Sequence, residues 1–264
     1  MNRTVKDKIK KFFSFTNLYV DFLTSREDIV EFIRTIRPKI TNIDLIRIGP
    51  HGDGGYLIPN DLIGVNVCFS PGVGTLSYFE EECVEKYGMK IYLADNSVNA
   101  PSINNKNFNF IKKHIGIANS EHMITMERWI ENMEEDNSDL LLQMDIEGNE
   151  YLSILSMPQK LLNRFRIISI EFHDLQNIWG KDFYSTAKST FEKLLENHVC
   201  VHLHPNNCCG ALNIKGIEIP RVCEFTFIRK DRVKILGNVT TPNQLDSDNR
   251  GNPTLTLSDI WYKD

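Results

Sequence analysis

DLLLQMDIEGNEY, residues 139–151, sets the reading of this chain. Leu140, Leu141, Leu142 and Met144 make an almost continuous apolar run. Such a run marks a strand buried on both faces, which belongs in a parallel sheet covered by helices on either side. The run closes on Asp145 and a glycine turn, and a helix is expected around 149–156.

The same alternation continues outward in both directions. IDLIRIG (43–49) reads as a strand, and HGDGGYLIP (51–59) as a turn followed by a second one. VNVCFS (65–70) ends in PGVG and leads into a helix over Ser77–Tyr87, then KIYLAD (90–95). FNFIKKHIGI (108–117) is a further strand before a helix around 123–135. Beyond 151 come a helix near 158–163, RIISIEFHD (166–174), a helix over 182–197, VCVHLH (199–204) and RVCEFTFIRK (221–230). Strands alternating with helices predict an α/β fold with a mostly parallel, doubly wound sheet. No helix separates the last two strands, which predicts an antiparallel edge.

Ahead of this, Ile9, Phe12, Phe13, Leu18, Phe22, Ile29, Phe32 and Ile36 fall at helical spacing. We divide the chain into an N-terminal helical region, 1–40, and a main domain, 41–264. Arg3, Lys6, Lys8, Lys10 and Lys11 crowd the start. A basic amphipathic start suits either a peripheral contact with an anionic membrane or a solvated face packed on the domain. The tail TPNQLDSDNRGNPTLTL (241–257) reads as ordered loop or lid.

The 264 residues are 41% hydrophobic and 25% charged with a net charge of −5, an ordinary globular composition without a basic footprint for nucleic acid. No apolar run reaches the roughly 20 residues of a membrane span, and the first residues lack the pattern of a signal peptide. Six cysteines without a CxxC point to a reduced, cytoplasmic protein. The composition permits an oligomer.

In an open α/β sheet, ligands bind beyond the carboxyl ends of the strands. Here those ends carry Gly72 and Gly74, Asp95, Asp145, then Glu171 and His173, and finally His202 and His204. Glycines let a backbone approach a ligand closely, and an acid about twenty residues later can accept both ribose hydroxyls. That pair points to an adenosine-containing cofactor. Carboxylates and imidazoles gathered at one sheet edge suit a divalent ion such as Mg²⁺, Mn²⁺ or Zn²⁺, with Asp145, Glu171, His173 and one or both of His202 and His204 as candidate ligands.

These stretches resemble the FkbM family of class I S-adenosylmethionine-dependent methyltransferases. The resemblance is carried by VCFSPGVGTLSYFEEEC, IYLAD, LLLQMDIEGNEYLSIL, RIGPHGDGGYLI and IISIEFHDL, and covers about residues 43–235. It implies a Rossmann-like fold, S-adenosylmethionine as cofactor and methyl transfer to a sugar hydroxyl in bacterial surface-polysaccharide biosynthesis. It places Gly72 and Gly74 on the methionine portion, Asp95 on the ribose, and Asn96 and Asp145 beside the cofactor. His173 becomes the general base, with Asp145 and Glu171 as its catalytic companions and Mg²⁺ or Mn²⁺ as an added ion. His202, His204, Asn206, Asn207, Asp53 and Tyr56 become contacts to a sugar, sugar-nucleotide or glycan acceptor, with no nucleic-acid partner, and Trp179 a stacking surface. The chain departs from the metal-dependent pattern by carrying Glu-x-His where Asp-Asn is usual.

Three other readings compete. A nicotinamide-dependent sugar oxidoreductase or epimerase needs a third glycine where this chain has Ser77, and a Tyr-x-x-x-Lys pair where Tyr151 is followed by Leu155. A metal hydrolase leaves the Gly72 turn and Asp95 without a task. A non-catalytic glycan-assembly protein would dock through its basic N-terminal helix.

Overall fold

The computed structural model describes residues 3–16, 18, 20–133 and 138–263. Its centre is a seven-stranded sheet of β1 (Val67–Pro71), β2 (Lys90–Ala94), β3 (Phe108–Ile111), β4 (Leu140–Met144), β5 (Phe165–Phe172), β6 (His198–Pro205) and β7 (Cys223–Arg229). Their order across the sheet is β6-β7-β5-β4-β1-β2-β3. Pairs β1–β2, β2–β3, β1–β4 and β4–β5 are parallel, whereas β7 runs antiparallel to both β5 and β6. The Rossmann-like α/β fold expected from the sequence, with a mostly parallel sheet, is therefore present.

The last two strands form the antiparallel edge expected of them. β7 inserts between β5 and β6, leaving β6 outermost. The reason lies in the connection, a hairpin of Ala211–Ile214 and Ile217–Pro220. Without a crossover helix the chain has to return in the opposite direction. The two strands expected within 43–59 form a separate hairpin, Leu45–Ile48 with Tyr56–Pro59. The run 108–117 divides into β3 and a short strand, His114–Ile115, paired with Met123–Ile124. The helix expected around 123–135 is observed over Met126–Met133, and positions 134 and 135 lie outside the described residues.

Strand alternation divides the core between the two faces of the sheet. Phe69, Leu140, Leu142, Met144, Ile168 and Phe172 meet residues of helices α2 (Arg26–Ile36), α4 (Met126–Met133), α5 (Glu150–Ser156) and α6 (Lys181–Asn197). Cys68, Ile91, Leu93, Leu141 and Ile167 meet α3 (Tyr78–Tyr87) and the 45–59 hairpin. Ile29, Phe32, Ile33 and Ile36 of α2 are fully part of the first core, and Phe32 meets Phe191 edge to face, ring centroids 5.4 Å apart. Helix α1 (Arg3–Ser14) leaves Val5 and Phe12 exposed. No helix among the described residues is long and apolar enough to cross a membrane.

The turn after β1 is fixed by backbone packing. Gly72 has φ +88°, its N–H donates to the Ala94 carbonyl at 2.9 Å, and a Cβ built there would stand 1.4 Å from the Asp145 carbonyl oxygen. Gly74 has φ +52° but open space around it. Gly72→Ala should therefore cost more than about 3 kcal/mol, combining backbone clash with left-handed strain. Gly74→Ala should cost about 1 kcal/mol, the left-handed penalty alone. Urea unfolding of both variants checks the contrast; equal losses would contradict it.

Candidate active site

A cavity of about 610 Å³ opens at the carboxyl ends of β1, β2, β4 and β5. Gly72 and Gly74 after β1, Asp95 after β2, and Asp145 after β4 line it. So do Glu171 and His173 at the end of β5, with Asp53 and Tyr56 from the hairpin and Asn206 after β6. Residues more than 150 positions apart thus meet at one sheet edge.

Asp95 is held rigidly. Its Oδ2 accepts from the Gly74 N–H at 2.9 Å, and its Oδ1 accepts from the Ser97 N–H at 2.7 Å and hydroxyl at 2.6 Å. Burial alone would raise its pKa, but the Ser97 and Gly74 hydrogen bonds outweigh this and keep the carboxylate ionised.

The acidic turn after β4 folds back upon itself. Glu147 adopts φ 55° and Gly148 φ 105°. This left-handed reversal lets buried Glu150 Oε1 accept from the Ile146 and Gly148 N–H groups, both at 3.1 Å. The same oxygen lies 3.1 Å from His173 Nδ1. The other ring nitrogen, Nε2, stands 3.4 Å from Glu147 Oε2 and 3.8 Å from Asp145 Oδ1. Tyr151 Oη donates to the His173 carbonyl at 3.0 Å, fixing the backbone beneath the ring.

Burial pulls the His173 pKa down, yet its bond to Glu150 and the charges of Glu150, Asp145 and Glu171 raise it to about 9. Burial raises Asp145 to about 7; His173 opposes the shift, while Glu147, Glu150 and Asp53 add to it. Burial, then the neighbouring Asp145 and Glu224, push Glu171 well above the ordinary carboxylate range.

Asp145, Glu147 and His173 each offer one ligand atom, all within 4.8 Å of one another. Of the expected set of Asp145, Glu171 and His173, two members belong to this cluster with Glu147, while Glu171 Oε1 accepts from Asn206 Nδ2 at 2.8 Å.

Several expected acceptor contacts lie elsewhere. His202 Nε2 is 2.7 Å from Asp246 Oδ1, and His204 Nδ1 is 3.8 Å from Asp246 Oδ2. The pair thus fastens the segment after residue 240 to β6 and does not line the cavity. Asn207 fastens the same segment, donating to the Arg250 and Asn252 carbonyls at 2.9 Å each. Asn96 is half-buried outside the cavity, where Ser97 takes its place. Trp179 is a core residue. Sequence reasoning missed Glu80, Gln143 and Arg250, which all line the cavity. Arg250 Nη2 pairs with Asp53 Oδ2 at 2.8 Å, and no local motif signals a partner nearly 200 positions away.

No family model matches the chain, and no curated protein sequence matches it. Among solved structures, it is similar to an E. coli structure named as a DNA modification methyltransferase encoded within a prophage. That match has 12% identity and a TM-score of 0.42, covering 69% of this chain and only 52% of the other, about half its length. It is also similar to the 16S rRNA (adenine(1408)-N(1))-methyltransferase from Catenulisporales acidiphilia, at 9% identity and a TM-score of 0.32 over 63% of this chain and 89% of that one. These neighbours correct one expectation. By name they act on DNA and rRNA, so a sugar acceptor with nucleic acid excluded does not stand as the partner assignment. Net charge describes the whole chain, whereas an acceptor is recognised locally, and one fold serves many acceptors.

The Glu150 contact sets a titration. A His173 pKa raised from 6.5 to about 9 means that the charged ring stabilises the fold fully below pH 6.5 and that this contribution fades as pH rises through 9. In protein kept metal-free by chelator, Glu150→Gln should return the His173 pKa toward 6.5 and flatten the stability loss between those pH values. Histidine NMR titration checks this; an unchanged pKa would refute the role of Glu150.

Proposed function

We propose that this protein is an S-adenosylmethionine-dependent methyltransferase acting on an oxygen nucleophile. The observation that carries the reading is the charge of the cavity. Asp53, Asp95, Asp145 and Glu147 line it, against His173 and an Arg250 guanidinium that is already paired with Asp53. Such a wall suits a cofactor with a sulfonium and an ammonium, and repels the pyrophosphate of a nicotinamide dinucleotide. Furthermore, the Gly74 N–H is committed to Asp95 and the Gly72 N–H to Ala94, so neither is left to cradle a phosphate.

Asp95, held ionised, is suited to accept the ribose hydroxyls. Methyl transfer from a sulfonium is an in-line displacement, so holding the acceptor oxygen against the methyl group supplies much of the acceleration. The acceptor's proton needs a destination. His173, with its pKa near 9, already carries a proton at neutral pH, which moves the base role to Asp145, poised at about 7. His173 then orients that carboxylate and balances its charge.

The donor set also fits a divalent cation. Asp145 Oδ1 is buried without a hydrogen-bond partner, and His173 presents Nε2 toward it with Nδ1 fixed by Glu150. Asp145, Glu147 and His173, the last with its Nε2 proton displaced, would hold Mg²⁺ or Mn²⁺, which when bound supplies Lewis-acid stabilisation of a forming oxyanion.

Calorimetric titration should show binding of S-adenosylmethionine and S-adenosylhomocysteine but not NAD. Asp95→Asn should weaken binding at least about tenfold through loss of charge-assisted hydrogen bonds. Preferential NAD binding would overturn the reading. Full methyl-transfer activity in excess chelator would remove the metal while leaving the transferase intact.

A further inference from the structure

Glu80 is a fully buried carboxyl for which the mechanism above has no use. It enters from the first turn of α3 and reaches the carboxyl end of β1, where Ser70 stands directly before the glycine turn. Ser70 Oγ lies within hydrogen-bond distance of Glu80 Oε1 and, at 2.6 Å, of Gln143 Oε1. A serine hydroxyl has one proton to donate. If it goes to Gln143, the contact with Glu80 has to be donated by Glu80 itself, as a carboxylic acid.

The surroundings agree. Glu80 is 4% exposed. The titratable groups facing it are Tyr56 from the hairpin, Cys68 on β1 and Cys83 on its own helix, all kept neutral by burial. None of these is a cation, and an ionised carboxyl without one is costly to bury. Burial pushes the Glu80 pKa up, against the opposing pull of Ser70 and of its own backbone N–H. Yet this buried carboxyl forms part of the wall of a cavity whose ligand, on the reading above, is a cation.

We propose that Glu80 is a neutral acid before the cofactor binds and becomes the carboxylate partner of the cofactor's ammonium, so that binding expels a proton. The inference rests on the cofactor assignment. In the step, the O–H bond of Glu80 breaks, its proton passes to solvent, and an ion pair forms between the carboxylate and the incoming ammonium. No electrons are transferred. The ammonium is common to S-adenosylmethionine and S-adenosylhomocysteine, so both ligands should release the proton. The sulfonium belongs beside Asp145 and His173, where the acceptor is handled. Because a proton competes with the cofactor, affinity should fall as pH is lowered.

The test is calorimetry of both ligands at pH 7 in two buffers of different ionisation enthalpy, comparing the wild-type protein with Glu80→Gln. The difference in apparent enthalpy should show about one more proton released by the wild type, and the variant should bind about tenfold more weakly. An amide is the near-isostere of a neutral acid and can still donate to Ser70, so the melting temperature of Glu80→Gln at pH 7 should match that of the wild type. Equal proton release in the two proteins would overturn the inference while leaving the cofactor assignment standing. A variant that fails to fold would overturn the neutral-acid state, and release with S-adenosylmethionine alone would overturn the ammonium pairing. Absence of binding by the wild type would overturn the cofactor assignment and this inference with it.

Discussion

The Asp145 carbonyl occupies the space where residue 72 would carry a side chain. Everything else at the site depends on that approach. It brings the turn after β1 against the turn after β4, with the Asp145 N–H donating to Pro71 at 3.1 Å and Gly72 donating to Ala94. Three adjacent parallel strands are thereby locked at their carboxyl ends. The cavity opens where they stop, and Asp95, Asp145 and the glycine turn face it from fixed positions. Gly72 is required first by chain packing, before any ligand is considered.

Around this lock the protein concentrates negative charge and disposes of it in different ways. Asp95 stays ionised because backbone and serine donors surround it. Glu150, wholly buried, is balanced by two N–H groups and the His173 ring. Glu80 and Glu171 move toward the neutral acid because burial outweighs what their neighbours supply. Asp145 lies between these extremes. One cavity therefore holds both a carboxylate kept ionised and carboxyls that burial pushes toward the neutral acid. Glu147, which lines it, and Asp174, which follows His173, hold left-handed backbone, a strain that the surrounding contacts sustain.

The segment after residue 240 completes the enclosure. Asp246 binds His202 and His204, Asn249 Nδ2 donates to Glu224 Oε1 at 2.8 Å, and Asn207 bonds to residues 250 and 252. Polar residues that read as loop in the sequence are thus satisfied against polar side chains of β6 and β7. The histidines on β6 face this strap, since an edge strand offers its side chains to whatever segment covers it.

The sequence by itself determined the sheet. Apolar runs such as 140–144, alternating with amphipathic helices, leave burial between two helical layers as the arrangement that hides both faces. It also determined which strand ends carry glycine, acid and imidazole, because in parallel strands those ends share one side of the sheet. What only the tertiary structure decided was pairing. Glu147 rather than Glu171 joins Asp145 and His173, since a left-handed turn and the amide of Asn206 redirect the two carboxyls. His202 and His204 serve Asp246, and Glu80 reaches Ser70 from another element. Hydrophobic period is a local property of the chain and can be read along it. A hydrogen bond or ion pair depends on where two distant backbones come to lie, and no local pattern encodes that.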